Sequence, residues 1–468
     1  MEPADRIAQL EARVAELEAL VRRQAEMIEK QAAEIQELKH RLRKDSSNSH
    51  RPPSTDPPRA SASPPTGRKP GGQPGHPPAN RELFMKEEID ERVIVAAKRC
   101  RGCRHEFDPE GSENRRAVEF HQMVEIPVLA ARVTEFCVVS DECGKCGEWT
   151  QGELPPEFAS LVGPRLHAAA SVLSGRFRLS RREVLEALIA FFGPKTRLSL
   201  GTVKNLEDQT AEALAPIYAE AHQAAQQADV AHFDETGWYE RHKLAWLWVM
   251  VTSTLCLFQV SSRRNRATFA AIAGSFDGVL VTDRWRAYMA WAKREHQFCW
   301  AHLNRDFTGW KDRGGPEGKL GAACLKCGTQ LFALWHRFKS GEIARTTLQA
   351  YLRPIQRRLR KSLQAACRRK ALKATASELL KFWPCLWVFA RRNGVEPTNN
   401  AGEQAIRPAV LWRKGSFGSH SPNGARFVER MLTVVQTLRR SGKAILDFLV
   451  RAVYAYRTGR APPTLVPS

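Results

Sequence analysis

The chain lacks any long apolar run, and this absence narrows the class of protein. No stretch of its 468 residues approaches the ~20 apolar residues that a membrane-spanning helix needs. The first residues, MEPADRIAQLEARVAEL, are charged and periodic, and they lack the apolar segment of a signal peptide. We therefore expect a cytoplasmic protein with no membrane partner.

Acidic side chains are also scarce relative to basic ones. There are 50 Asp plus Glu against 72 Lys plus Arg, which gives a formal net charge of +22 at pH 7. An excess of that size indicates a polyanionic partner, with nucleic acid as the first candidate. The length allows roughly two to four domains. The 11 cysteines of a cytoplasmic chain favour thiols and metal sites over disulfides.

Residues 1–44 predict a coiled coil. Apolar residues fall alternately three and four apart over five heptads, and Gln24 and Gln31 occupy the two remaining seam positions. Such a seam favours self-association, so we expect a homo-oligomer. The alternative is one amphipathic helix packed on its own domain. The apolar seam positions are Ile7, Leu10, Val14, Leu17, Val21, Ile28, Ile35, Leu38 and Leu42.

Residues 45–85 form a linker rich in proline, serine and glycine, which cannot build a core. Its motif GRKPGGQPGH is basic, and Arg68 and Lys69 are candidates for insertion into a DNA minor groove. The same composition fits a plain tether that carries two charges.

Residues 86–157 contain two cysteine pairs with metal-ligand spacing. Cys100 and Cys103 form one C-x-x-C turn, and Cys143 and Cys146 form another. The segment between them, HQMVEIPVLAARVTEFCVV, is strand-like and predicts a connecting β-hairpin. Four thiolates from two tight turns suit tetrahedral Zn²⁺ and close its coordination shell. We therefore predict a structural zinc ribbon that binds DNA; the alternative is two unrelated surface pairs.

Residues 158–228 read as helical. Ser180 is placed to cap the helix RREVLEALIAFF, which Gly193 and Pro194 end, and Ser199 to cap a helix that begins LGTVKNLEDQTAEAL. Two capped helices in a basic region suggest a helix-turn-helix. The connector is longer than the usual 3–4 residues, so a plain helical spacer stays open.

Residues 229–310 change to strand-like sequence. ADVAHFDE, LAWLWVMVTS and LCLFQVSS predict three strands that are close enough in sequence for an antiparallel meander. RATFAAIAGSF predicts a helix, and GVLVTDRW a fourth strand that lies parallel to the first after this crossover. HQFCWAHL predicts a further strand. The strand order is that of the ribonuclease H-like fold, with the second part of the core at 393–445.

Residues 311–392 predict a basic helical insertion into that core, and residues 446–468 a C-terminal helix followed by a flexible tail. The fold class expected for the whole chain is multidomain α+β. It comprises the coiled coil, the zinc ribbon, the helical region and an α/β catalytic core with a helical insertion.

Three carboxylates are candidates for one site in this basic chain. Asp234 ends the first strand of the sheet and Asp283 ends the fourth, so both side chains should emerge at one edge. Glu403 lies near the start of a helix within TNNAGEQAIRPAVLWRK. Neighbouring carboxylates repel unless a cation lies between them, and three acidic donors suit two Mg²⁺ ions in phosphodiester chemistry. Glu235 should point to the opposite face of the strand.

The chain resembles the DDE transposases of the insertion-sequence sixty-six family. HFDETGW, WLWV, GVLVTDRWRAY, QFCWAHLNRDF and TNNAGEQAIRP match that family's successive motifs, and the heptads, SSNSHRPPS, GRKPGGQPGH and cysteine pairs match its N-terminal part. The resemblance implies a ribonuclease H-like core in which Asp234, Asp283 and Glu403 are catalytic. It also implies a helical insertion between the last two, which are 120 residues apart.

The family's C-x-x-H motif maps to Cys299 and His302, a pair expected to brace the insertion against the core. Cys324-x-x-Cys327 has no counterpart among the motifs. With Cys299 and His302 it could complete a second zinc site, whereas the alternative is a pair of core-facing thiols.

The function expected from these features is transposition: binding of the element's ends, Mg-dependent cleavage that frees a 3′-hydroxyl, and transfer of that end to target DNA. Proteins from the same element are possible partners. Trp310 and Trp335 are either core residues or platforms for an unpaired base. The alternatives are a DNA-binding regulator with an inactive core, or a nuclease that cuts without joining. Phosphate contacts are expected from the basic residues of 353–373 and from Arg407, Arg413 and Lys414.

Overall fold

The computed structural model describes residues 3–42, 44–45, 48, 83–108 and 120–467. The motif with Arg68 and Lys69 lies outside the described residues, so its proposed minor-groove contact stays a prediction. The chain divides into two compact units, one of residues 1–60 with 131–468 and one of residues 61–130. Of the helices in the described ranges, none combines the length and apolar character needed to cross a membrane.

Helix α1 spans Pro3–Leu42, so the N-terminal heptads are helical. The described side chains of its apolar seam are not covered by the rest of the chain; Val21, for example, is 62% and Ile28 65% exposed. The alternative of a helix packed on its own domain along this seam therefore has no support in the described residues. Contacts occur near the end of the helix, where Glu37 forms an ion pair of 3.0 Å with Arg313.

In the second unit, the described residues include a 3-10 turn, Lys86–Glu88, and a turn closed by an isolated antiparallel bridge between Arg99 and Glu106. Cys100 and Cys103 lie in that turn. In the first unit, strands β1 (Ser140–Glu142) and β2 (Trp149–Gln151) form a short hairpin around the second cysteine pair.

The strand-like segment between the cysteine pairs is not a hairpin, so that prediction was wrong. Residues 120–139 form no strand. Their apolar side chains are exposed, for example Ile126 at 76% and Val128 at 97%. High β-propensity alone does not pair a strand, because pairing depends on burial against cross-strand and same-face neighbours.

The region 158–228 is helical as predicted. It contains α2 (Pro164–Gly175), α3 (Arg181–Phe192), α4 (Leu200–Ala213) and α5 (Ala215–Ala225). Both predicted caps are present: the Ser180 side chain accepts the Glu183 N–H, and Ser199 accepts the Thr202 N–H. A small apolar cluster that includes Val184, Leu188 and Val203 joins α2, α3 and α4.

Five strands form one mixed sheet in the order β5-β4-β3-β6-β7. The predicted meander is confirmed, since β3 pairs antiparallel with β4 and β4 with β5. The fourth predicted strand, β6, lies parallel to β3 after helix α6, and β7 lies parallel to β6. The elements are β3 (Val230–Glu240), β4 (Lys243–Val251), β5 (Cys256–Ser261), α6 (Arg266–Ala273), β6 (Val279–Thr282), α7 (Arg286–Met289) and β7 (His296–Phe298).

Helices α13 (Asn400–Ser416) and α14 (Pro422–Arg440) pack against this sheet. Helix α14 covers edge strand β5, and Glu429, Thr433 and Thr437 accept its backbone N–H groups from Val260, Phe258 and Cys256. These bonds satisfy an edge that would otherwise be open to pairing with another chain.

The insertion is helical, and its core is continuous with residues of β6 and β7. It follows α8 (Trp300–Lys311) and contains α9 (Gly315–Lys339), α10 (Arg345–Ala366), α11 (Lys373–Lys381) and α12 (Val388–Arg391). Trp310 and Trp335 belong to this core, at 6% and 8% exposure. Of the two alternatives for these tryptophans, core residues are therefore confirmed, because neither indole face is open to a base.

The C-terminal tail is more ordered than the sequence suggests. Helix α15 spans Ile445–Thr458, and beyond it Leu465 is 4% exposed within the main core. Thr464 donates a hydrogen bond of 2.7 Å to Glu220. The expected flexible tail thus packs through one apolar side chain that its short, proline-containing sequence did not single out.

Candidate active site

The prediction that Asp234 ends the first strand was wrong, because β3 continues to Glu240 by pairing with β4. Asp234 lies instead where β3 leaves β6, one of its two neighbours. Parallel pairing with β6 ends at His232, while antiparallel pairing with β4 continues through Asp234. Burial raises the pKa of the Asp234 carboxyl well above 3.8, and the charges of Glu235, Asp283 and Glu403 raise it further.

Asp283 follows directly after β6, so it leaves the sheet beside the divergence of β3. Its Oδ1 accepts the backbone N–H of Trp285 at 2.9 Å, which fixes the turn. Close approach of β6 to the start of β3 depends on Gly278, where a Cβ would lie 2.5 Å from the carbonyl oxygen atoms of Ala228 and Asp229. A residue with a side chain at this position would push the two strands apart.

Arg284 connects Asp283 to the insertion. Its guanidinium is 9% exposed and forms ion pairs with Asp306 of α8 and with Glu378 of α11, the latter at 3.2 Å. The residue next to a candidate catalytic Asp is therefore anchored to two helices outside the sheet.

Glu403 lies in the first turn of α13, and Asn399 positions that helix. Asn399 precedes the helix, but its side chain makes no capping bond. Instead, its Nδ2 donates to the Phe233 carbonyl at 2.8 Å, and its Oδ1 lies 3.1 Å from Nδ1 of His232. Because burial lowers the pKa of His232 to about 4, the ring is neutral at pH 7 and donates from Nδ1. The start of α13 is thus bonded to β3 one residue before Asp234.

Cys299 and His302 lie at the start of α8, next to Glu403. The Sγ of Cys299 accepts the backbone N–H of Asn399 at 3.2 Å. His302 Nδ1 is 3.5 Å from Glu403 Oε1, and Arg305 is 3.9 Å from Glu403 Oε2. Burial raises the pKa of Cys299 to about 11. Burial also raises the pKa of Glu403. The charge of Arg305 lowers this pKa, and the charge of Asp283 raises it.

Cys324 and Cys327 do not join this cluster. Among the described residues, the side chains close enough to share a metal ion are Cys299, His302 and Glu403, without either thiol of α9. Cys324 and Cys327 are instead buried in the insertion core, at 0% and 2% exposure. The alternative of core-facing thiols is therefore the one that fits, and the second zinc site with these four ligands does not form.

Glu235 lies on the other face of β3 from Asp234, as strand alternation requires. Its carboxylate accepts hydrogen bonds from Arg264 at 2.5 and 2.9 Å and from the Tyr288 hydroxyl. The Arg264 guanidinium lies over the rings of Trp246 and Trp285, at 4.8 and 4.3 Å. Burial raises the pKa of Glu235, and the charge of Asp283 raises it further.

The candidate phosphate-binding residues differ in availability. Arg407 and Lys414 of α13 are exposed, whereas Arg413 is partly buried and donates to the Gly237 carbonyl and to Thr236. Arg413 therefore braces α13 against β3. Helix α10 buries an apolar stripe and exposes a basic face, which continues past its end. The exposed cations of that face are Arg353, Arg357, Arg358, Arg360, Lys361, Arg368, Arg369, Lys370 and Lys373.

The cysteine turns at 100–103 and 143–146 share one local geometry. In each turn, hydrogen bonds from backbone N–H groups lower the pKa of the first thiol: Cys103 and Gly102 donate to Cys100, and Lys145 and Cys146 donate to Cys143. Such bonds favour the thiolate, which is the form that binds metal. These hydrogen bonds form within each turn separately.

Sequence reasoning missed Asn399, Arg284 and the Glu235–Arg264–Tyr288 network. Arg284 directly follows Asp283 in the sequence, Glu235 directly follows Asp234, and Asn399 lies one helical turn before Glu403. The signal that could have found Asn399 is its place at a helix start, although that position predicts a cap rather than a bond to a strand. Arg264 and Tyr288 carry no local signal, since only the fold brings them to β3.

A mixed sheet with half-buried carboxylates within β3 and directly after β6, together with a third acid on the helix packed against it, defines an α+β protein with a candidate divalent-metal site. The family model described as Transposase IS66 family matches residues 186–427, more than half of the chain, and the chain belongs to that family. The matched range includes all three acids. A family of unknown function matches residues 2–82.

Among curated proteins, the chain is 24% identical over 238 residues to the uncharacterized protein y4qI of Sinorhizobium fredii (strain NBRC 101917 / NGR234). The matched part covers 44% of this chain and 42% of that protein. The chain thus spans less than half the length of this relative, whose name assigns no activity.

Proposed function

We propose that the protein is a DDE transposase that binds the ends of an insertion sequence, cleaves DNA there and transfers the freed strand to a target. The observation that carries this proposal is the placement of the three acids on a transposase-family chain: Asp234 lies where β3 leaves β6, Asp283 directly follows β6, and Glu403 lies in the first turn of α13. The strand order β5-β4-β3-β6-β7 supports a ribonuclease H-like core.

The donor types suit Mg²⁺, although the ligand atoms of the three acids do not all lie within 4.8 Å of one another. Asp234 is buried among like charges that raise its pKa, and such an arrangement is stabilised by a cation. Carboxylate oxygens are the ligands that this hard ion prefers. Asp234 and Asp283, with Glu403 as the third donor, would hold the two ions. Bound Mg²⁺ supplies activation of an attacking oxygen and stabilisation of a leaving oxygen.

The protein's own groups supply positioning. Asn399 fixes the Glu403 helix against β3, and Arg284 ties the turn after Asp283 to the insertion. The basic face of α10 together with Arg407 and Lys414 would bind phosphates, which positions DNA without reading its sequence. No Ser or Tyr nucleophile is required, because strand transfer by a DNA hydroxyl needs no covalent protein–DNA intermediate.

The N-terminal modules would support assembly on DNA. The exposed apolar seam of α1 supports homo-oligomerisation through a coiled coil. The thiolate-favouring turns of the two cysteine pairs support a structural Zn²⁺ site, with Cys100, Cys103, Cys143 and Cys146 as ligands. The capped helices α3 and α4 are compatible with DNA binding. Accessory proteins from the same element remain part of the proposal.

The test is cleavage of a labelled duplex carrying the inverted repeats that flank the gene, with Mg²⁺, beside a gel-shift titration. We expect Asp234→Asn, Asp283→Asn and Glu403→Gln each to abolish cleavage and strand transfer. DNA affinity and its salt dependence should hardly change, because phosphate contacts come from Lys and Arg elsewhere. Each substitution removes a negative donor and keeps the side chain's size.

Two matched controls use the same substitutions at exposed acids. Asp277→Asn removes a carboxylate that is 81% exposed and paired with Arg294, and Glu396→Gln removes one paired with Lys339. Both should cleave like the wild type. Glu235→Gln is not a silent control, because Glu235 is bonded to Arg264 and Tyr288. Binding without any cleavage by the wild type would favour a regulator, and cleavage without joining would favour a nuclease.

A further inference from the structure

A second group of ligand atoms shares Glu403 with the proposed Mg²⁺ donors Asp234, Asp283 and Glu403, and adds a thiol and an imidazole. One ligand atom from each of Cys299, His302 and Glu403 lies within 4.8 Å of the others. The side chains differ in access: Cys299 is 1% exposed, the His302 side chain 15% and the Glu403 side chain 32%. The cluster therefore has a closed sulfur side and an open carboxylate side.

Backbone hydrogen bonds fix the elements that carry these ligands. Cys299 precedes α8 and His302 lies in its first turn, so both side chains lie on one side of the helix start. The Trp300 N–H donates to the Pro397 carbonyl at 2.8 Å, and the Asn399 N–H donates to Cys299 Sγ. The starts of α8 and α13 are thus joined, which holds Glu403 beside the other two ligands.

We propose that this cluster binds a borderline-soft divalent ion, of which Zn²⁺ is the type, and that the bound ion withdraws Glu403 from the acidic triad. The protein would then have a metal-inhibited state in which zinc and Mg²⁺ compete for one carboxylate. This inference rests on the proposed function only for its inhibitory consequence, because the binding of zinc does not depend on catalysis.

The ligand chemistry favours zinc over Mg²⁺. A thiolate, an imidazole and a carboxylate form a three-ligand zinc set with a fourth position left for water, whereas Mg²⁺ prefers oxygen donors alone. Ligand atoms around tetrahedral zinc are roughly 3.3–3.6 Å apart. The 3.5 Å between His302 Nδ1 and Glu403 Oε1 already matches, and closing the cluster requires a shift of about 1 Å.

The surroundings suit the charges that binding creates. Burial disfavours the Cys299 thiolate and the Glu403 carboxylate. The partial positive charges at the starts of α8 and α13 offset part of this effect. The thiol proton leaves to solvent when the metal–sulfur bond forms. Arg305, now 3.9 Å from Glu403 and 3.3 Å from Nε2 of His302, turns away, and its side chain is 28% exposed.

The test measures zinc bound per chain in the full-length protein after chelation and equilibrium dialysis against Zn²⁺. We expect the wild type to hold one more zinc ion per chain than Cys299→Ser and His302→Gln. Cys367→Ser, which changes a half-buried thiol outside the cluster, should match the wild type. Circular dichroism checks that each variant is folded. Equal zinc content in the wild type and in both folded site variants would overturn the proposal.

A second readout tests the inhibitory consequence. Mg-dependent cleavage with and without micromolar Zn²⁺ is compared within each protein, so any change in basal activity cancels. The wild type should lose at least tenfold in rate and recover on chelation, whereas folded Cys299→Ser should lose less than twofold. Equal inhibition of both would refute the withdrawal of Glu403. If no protein cleaves DNA, the proposed function fails, while the zinc count still decides whether the site exists.

Discussion

Replacing Asn399 with alanine should loosen the connection between the Glu403 helix and β3. The side chain is 2% exposed and forms two hydrogen bonds across this junction, one to the Phe233 carbonyl and one with His232. Alanine removes both and leaves the buried Nδ1–H of neutral His232 without its acceptor. A buried group that loses its partner costs about 1–3 kcal/mol, so we expect the free energy of unfolding to fall by about 2–4 kcal/mol.

The same change should reduce cleavage, because Glu403 depends on the position of α13. Misplacement of a catalytic group by about 1 Å can cost ~10²-fold in rate. We therefore expect Asn399→Ala to lose on the order of 10²-fold in Mg-dependent cleavage, with DNA affinity nearly unchanged. Both proteins are compared at a temperature well below the unfolding transition of the variant.

The matched control is Asn265→Ala. Asn265 caps α6, where its Oδ1 accepts the Thr268 N–H at 2.9 Å. Loss of a cap costs about 1 kcal/mol, and cleavage should be retained. If Asn399→Ala is destabilised but cleaves like the wild type, Asn399 has only a structural role. If its stability is unchanged, the two buried bonds do not form in solution.

Three further predictions follow from separate parts of the chain. Burial and like charges raise the pKa of Asp234 above 3.8, so the folded state binds this proton more tightly than the unfolded chain and stability falls as pH rises through the raised value. In chelator, Asp234→Asn should therefore melt above the wild type at pH 7, with the difference shrinking towards pH 4 and with Mg²⁺ stabilising the wild type alone; a lower melting temperature for the variant would contradict this. A chain starting at residue 45 should sediment with fewer chains per particle than the full-length protein, given the exposed seam of α1. The same number of chains per particle in both proteins would contradict the coiled coil. Changing Cys100 and Cys103 together to serine should lower the zinc content by one ion per chain, and an unchanged content would remove the ribbon site.

The sequence by itself determined the local elements, because their signals are local. The serines at 180 and 199 cap helices since a hydroxyl before a helix start can accept an N–H two or three residues on. The strands of the sheet follow from runs of apolar and β-branched residues, and the parallel placement of β6 follows from the helical crossover. The three acids could be proposed because each one follows an apolar run or begins a helix, although β3 continues past Asp234 to Glu240.

Only the tertiary structure decided which surfaces meet. The segment 120–139 has strand-forming residues but forms no strand, since pairing needs a partner that sequence does not supply. Trp310, Trp335, Cys324 and Cys327 could have been functional or buried, and the insertion core buries them all. Burial depends on packing between elements that are far apart in the chain. Composition therefore could not decide whether these side chains are buried or functional.

The site shows the same division at atomic scale. The sequence proposed Asp234 and Glu403 as partners, but the bond that brings their elements together runs from Asn399 to Phe233, across 166 residues. The apposition of Cys299 and His302 to Glu403 likewise arises where two helix starts meet. Local chemistry fixed which residues could bind a metal, and the fold decided which of them share one, because ligand geometry depends on distances that only tertiary packing sets.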